Sequence, residues 1–148
     1  MSLNTELLRI TENISGESPP PVALTLKAKC KGNPATSLQR VREVRVIIAQ
    51  NDPNNWPSDD EWLKLLPEWF TNPFKDITLE ELINNKELWD YSSWLEAMRL
   101  RGWTWWSSRY LNDRWEIKLN AYEHPYSIGP LEYLARASGA DSLEFVED

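Results

Sequence analysis

Tryptophan content is the feature of this 148-residue chain that most limits how it can fold. All nine tryptophans lie between Trp56 and Trp115. Each one carries a large apolar area and a single indole N–H that needs a partner when it is buried. So many in one stretch predict an unusually aromatic core, a binding surface, or both.

The length and composition predict a single soluble domain over residues 1–148. A chain of this length can bury a substantial core, and 41% apolar with 26% charged residues is typical of globular proteins. The apolar runs are far shorter than the ~20 residues that a membrane-spanning helix needs, so we expect no membrane association. Cys30 is the only cysteine, which excludes an intrachain disulfide and favours a cytoplasmic location.

Charge is spread unevenly along a chain whose net charge is −7. Residues 27–45 carry six basic side chains against Glu43 alone, whereas residues 51–98 carry eleven acids and three lysines. Such asymmetry can steer a partner or orient self-association, although solvated strand and helix faces give the same pattern. The overall acidity argues against nucleic-acid binding, which usually needs a basic surface.

The first half of the chain contains one clear strand and one ambiguous segment. Apolar and polar residues alternate over 22–31, which predicts a half-buried strand. Asn33-Pro34 then has the form of a helix start, and the apolar residues between Leu38 and Ile48 fit helical spacing. The run 44–48 is rich in β-branched residues, however, which favour strands. We therefore predict a strand over 39–49 that forms a hairpin with 22–31.

Helix signals dominate the middle of the chain. Ser58 with Glu61 and Thr78 with Glu81 each form a capping box, in which the hydroxyl and the glutamate satisfy amides at the helix start. Predicted helices lie near residues 59–70, 78–101 and 130–138, the last opening at Pro130. With a second hairpin of strands 103–110 and 114–122, these elements predict an α+β fold with a mostly antiparallel sheet.

The second hairpin gives the candidate binding site. If Asn112 and Asp113 are the two turn residues, each residue of the first strand faces the residue of the second strand whose number brings the sum to 225. In this register Trp106 points to the core. The opposite face is then an aromatic platform edged by polar groups. The predicted binding residues on it are Trp103, Trp105, Tyr122, Arg109, Asn120 and Lys118.

An exposed platform of this kind predicts binding without catalysis. Trp, Tyr and Arg often carry the binding energy of protein interfaces, so the predicted partner is another protein or a second copy of the chain. The alternative is a carbohydrate or another small ligand that stacks on the same rings. A helix from the 78–101 region that covers the platform gives the same sequence pattern without any binding role.

Signals for an enzyme are weak. His124 is the only histidine, and no nucleophile motif accompanies it. The acidic groups at 59–61 and 80–81 fall in first helical turns, where carboxylates stabilise the helix dipole. One cysteine and one histidine, far apart, do not predict a zinc site. We therefore expect no catalytic residue, cofactor or metal, and the enzyme alternative rests on His124 and dispersed carboxylates.

Overall fold

Four antiparallel strands form the sheet of the computed structural model, which describes residues 3–12, 20–123 and 126–147. The strands are β1 (Ala23–Lys29), β2 (Trp103–Tyr110), β3 (Arg114–Ala121) and β4 (Ser142–Glu147). Their order across the sheet is β2-β3-β1-β4, so β2 and β4 are the edges. With helices packed on this sheet, the predicted α+β fold with a mostly antiparallel sheet is confirmed.

Seven helices occur in the described part of the chain. They are α1 (Leu3–Glu12), α2 (Pro34–Ala49), α3 (Asp59–Leu65), α4 (Glu68–Asp76), α5 (Leu79–Asn84), α6 (Tyr91–Arg99) and α7 (Gly129–Ala137). Both predicted capping boxes are present, at the starts of α3 and α5. Each of the predicted helices 59–70 and 78–101 is a pair of shorter helices, the first pair separated at Leu66 and Pro67.

The predicted strand over 39–49, and its hairpin with 22–31, are wrong because residues 34–49 form α2. The Asn33 side chain accepts hydrogen bonds from the amides of Ala35 and Thr36, and Pro34 occupies the first turn. β-Branched residues cost a helix only some tenths of a kcal/mol each, whereas burial of a large aliphatic side chain gains about 1.5–3 kcal/mol. The apolar stripe of α2 is almost completely buried: Leu38, Val41, Val44 and Ile48.

The core lies between the helices and the inner face of the sheet. α2 contacts β2 and β3, and α1 contacts α2 and β2. On β1 and β3 the inner side chains are at most 6% exposed: Leu24, Leu26, Ala28, Trp115, Ile117, Leu119 and Ala121. Five tryptophans are fully buried, namely Trp62, Trp94, Trp103, Trp105 and Trp115. The other four are partly exposed, so the majority of the tryptophans lie in the core.

None of the helices over the described residues is long and apolar enough to cross a membrane.

Candidate functional site

A β-bulge decides where the tryptophans of β2 point. From Tyr110 back to Ser107, β2 pairs with β3 in the predicted register, and Arg109 faces Glu116. The register then shifts between Trp105 and Ser107, so that Trp106 is an extra residue. Beyond the bulge Trp105 faces Leu119 and Trp103 faces Ala121. The predicted pairs of Trp105 with Asn120 and of Trp103 with Tyr122 are therefore wrong.

The bulge removes the aromatic platform from the surface. Trp103 and Trp105 point to the inner face and are completely buried. The structure keeps Arg109, Lys118 and Asn120 together on the outer face, and Tyr122 lies 58% exposed just beyond β3. A sugar therefore cannot stack on Trp103 and Trp105, because neither ring is exposed. The one sequence signal for the bulge is the doublet Trp105-Trp106, which interrupts strict alternation.

A buried ionic cluster surrounds these two tryptophans. The Glu6 carboxylate lies 2.9 Å from the Arg45 guanidinium and 2.6 Å from that of Arg101. The Trp105 backbone N–H donates to the same carboxylate at 2.8 Å. Both guanidinium groups also lie over the Trp103 ring, 5.3 and 5.2 Å from its centroid. The cluster therefore links α1, α2 and β2 across the core.

The electrostatics of this cluster follow from burial and pairing. Burial raises the pKa of Glu6, but the Arg45 and Arg101 charges and the Trp105 N–H outweigh it and hold that pKa below its usual value. Burial also lowers the pKa of Arg45 to about 10, against the opposing effect of Glu6. Since the three side chains are at most 8% exposed, we interpret the cluster as a structural clasp. Sequence analysis missed it, although Arg45 interrupts the apolar run of α2.

The outer face of the sheet contains a row of alternating charge. Arg109, Glu116, Lys27 and Glu144 face one another in this order across β2, β3, β1 and β4. Arg109 binds Glu116 at 2.8 Å, and Arg114 approaches the same carboxylate at 3.3 Å. Burial raises the pKa of Glu116, but Arg109, Arg114 and Lys27 outweigh it and lower that pKa overall. The two positive and two negative charges of this row therefore cancel one another.

Two lysines at neighbouring positions of the outer face lack such compensation. Lys29 directly faces Arg114 on one side and Ser142 on the other. Lys118 faces Thr25 and Ser107. Within the described ranges, neither lysine has a carboxylate within salt-bridge distance. Five cations thus share this face with the two acids Glu116 and Glu144, in a chain whose net charge is −7.

A shallow recess lies beside Lys29 on the outer face. Its volume is about 490 Å³, and its lining residues are Lys27, Lys29, Arg114, Ser142, Leu143 and Glu144. Its three cations outnumber the single carboxylate of Glu144, and Ser142 adds a hydroxyl donor, a combination that can hold carboxylate or phosphate oxygens. Lys29 and Arg114 were absent from the predicted site because their contact depends on the pairing of β1 with β3.

His124 lies outside the described residues. Among the residues that the structure does describe, no group of three His, Cys, Asp or Glu side chains is placed to hold a metal ion. Comparisons with protein-family models, curated proteins and solved structures found no match to this chain.

Proposed function

We propose that this protein is a non-catalytic binding protein whose outer sheet face docks an acidic segment of a protein partner. One observation carries the proposal: Lys29 faces Arg114 on one neighbouring strand and Ser142 on the other, so no acid lies opposite this lysine. Directly opposed like charges destabilise a sheet by up to about 1 kcal/mol. Carboxylates from a partner would convert this cost into a favourable interaction.

The adjacent row supports the proposal by contrast. There, each cation of the outer face has an acid directly opposite, as with Arg109 and Glu116. Only in one part of the same sheet, around Lys29 and Lys118, are such acids missing. A local positive field on an otherwise acidic protein attracts acidic groups and increases their association rate. The predicted site residues Arg109, Lys118 and Asn120 belong to this surface, and the exposed Tyr122 lies at its border.

Several kinds of acidic partner fit this description. A second copy of the chain is one of them, since its residues 51–98 carry a net charge of −8. A partner protein with an acidic loop is the form that we propose, because such a loop can enter the recess beside Lys29. A cytoplasmic location, favoured by the single cysteine, is part of the same proposal.

The proposal can be tested with a fluorescently labelled oligoglutamate peptide. We expect the wild-type protein to bind it at low ionic strength, with an affinity that decreases as salt increases. The double variant Lys29→Gln/Lys118→Gln should bind at least about fivefold more weakly, because each lost contact to a charged group is worth about 1 kcal/mol or more. Fluorescence anisotropy measures both affinities.

A matched control separates the outer face from net charge. Lys64→Gln/Lys75→Gln removes two exposed lysines outside the sheet, so it changes the total charge equally and should leave the affinity unchanged. Equal weakening in the two double variants, or no binding by the wild type, would refute the proposal. A single-stranded DNA oligonucleotide that binds more tightly than the peptide, and loses binding in the sheet variant, would replace it with nucleic-acid binding.

A further inference from the structure

The short helix α5 exposes two large apolar side chains on one side. Leu79 is 74% and Ile83 is 72% exposed. They stand four residues apart, so they are neighbours on the helix surface, about 5–6 Å apart at their Cβ atoms. Leu82 is the only residue of α5 that is even partly buried. The helix therefore contacts the body of the protein through Leu82 and directs Leu79 and Ile83 to solvent.

Folding does not require apolar residues at these two positions. The start of α5 is held by the capping box of Thr78 and Glu81, which does not involve either side chain. Isoleucine is a poorer helix former than the common polar residues Glu, Lys or Gln. A contiguous exposed apolar patch rimmed by polar residues is typical of a surface that another molecule covers.

Acidic residues outnumber basic ones in and beside α5. Asp76, Glu80, Glu81 and Glu87 lie in or beside α5, against Lys86 as the only basic residue of 76–87. Glu87 is 3.6 Å from Arg136. Over the described residues, the other three acids have no cation within salt-bridge distance. The apolar pair thus lies on a segment with a net negative charge.

We propose that α5 docks an amphipathic helix of a partner protein, apolar on one side and basic at its flanks. Anchors one helical turn apart match the spacing by which helices pack against apolar surfaces. The net negative charge of this segment favours a basic partner over an acidic one. This surface is separate from the outer sheet face and opposite to it in charge, so the inference does not depend on the proposed function.

The test uses three labelled synthetic peptides of equal length. One is an amphipathic Leu/Lys helix, one is its Leu/Glu counterpart, and one contains Lys and Ser without an apolar stripe. We expect the wild-type protein to bind the first most tightly. Leu79→Ser/Ile83→Ser should weaken that binding at least about tenfold, since two buried aliphatic side chains are lost.

The matched control is Leu8→Ser/Leu100→Ser, which removes two apolar side chains that are 53% and 63% exposed elsewhere. It should bind the Leu/Lys peptide as the wild type does, and so should Lys29→Gln/Lys118→Gln. The inference is overturned if the wild type does not bind this peptide, if both serine variants bind alike, or if either other peptide binds as tightly. Circular dichroism verifies that each variant is folded.

Discussion

The Glu6 carboxylate accepts hydrogen bonds from three separate parts of the fold. Arg45 comes from α2, Arg101 from the segment before β2, and the Trp105 N–H from β2 itself. Two buried arginines against one carboxylate leave a net positive charge in the core. Loss of the carboxylate would leave both guanidinium groups without a buried anion, so this residue contributes to stability far more than an exposed glutamate does.

We predict that Glu6→Gln lowers the free energy of unfolding by about 3–5 kcal/mol, the cost of removing one partner from a buried ion pair. Equilibrium urea unfolding measures the change. Glu80→Gln is the matched control, because Glu80 is exposed and makes no salt bridge among the described residues. It should change stability by less than about 0.5 kcal/mol. Similar effects of the two substitutions would show that the clasp is not a stabilising element.

The pH dependence of stability follows from the same residue. The pKa of Glu6 is lower in the folded protein than in the unfolded chain. Its contribution is therefore fully present above the unfolded-state pKa, about 4.3, and is lost as the pH falls through the folded-state pKa. We expect Glu6→Gln to make the stability less dependent on pH below about pH 5 than in the wild type. Parallel pH profiles of the two proteins would contradict this expectation.

The bulge in β2 determines which side chains of this strand are buried. Without Trp106 the pairing of β2 with β3 would continue in one register, with Trp103, Trp105 and Ser108 still on the inner face. The bulged residue itself stacks under Arg9, whose guanidinium lies 3.7 Å from the ring centroid. Removal of Trp106 therefore keeps the core, whereas removal of Thr104 turns Trp103 outward.

We predict that deletion of Trp106 leaves a folded protein and costs no more than about 2 kcal/mol, mainly the cation–π contact with Arg9. Deletion of Thr104 should cost more than about 3 kcal/mol, because the Trp103 ring loses its buried position. Chemical denaturation of the two deletion variants compares them directly. Equal losses would mean that the bulge does not set the orientation of Trp103.

Local signals explain which elements were predictable from sequence. The capping boxes of α3 and α5 involve residues three apart, so they were found with the correct partners. The signals of α2 conflict, because its β-branched residues favour a strand whereas the Asn33 cap and the apolar stripe favour the helix that forms. The bulge could not be derived, because Trp105 is fixed by the carboxylate of Glu6, which lies 99 residues away in the sequence.

At the scale of the whole molecule, surface charge is divided between two regions. The outer face of the sheet holds the uncompensated cations Lys29 and Lys118, and the helical segment 51–98 holds eleven of the 23 acids. The sequence predicts the acidic segment 51–98 and places Arg109, Lys118 and Asn120 on one face of the second hairpin. It did not reveal the contact of Lys29 with Arg114, because β1 was expected to pair with 39–49 rather than with β3.

The most direct test of binding at the outer sheet face is a nuclear magnetic resonance titration of ¹⁵N-labelled protein with the oligoglutamate peptide. We predict that the largest shifts occur at the backbone amides of Lys29, Arg114 and Lys118. The indole signals of Trp103 and Trp105 should stay almost unchanged, since both rings are buried. The largest shifts at those two indoles, or in α5, would contradict the claim that the outer sheet face is the binding surface.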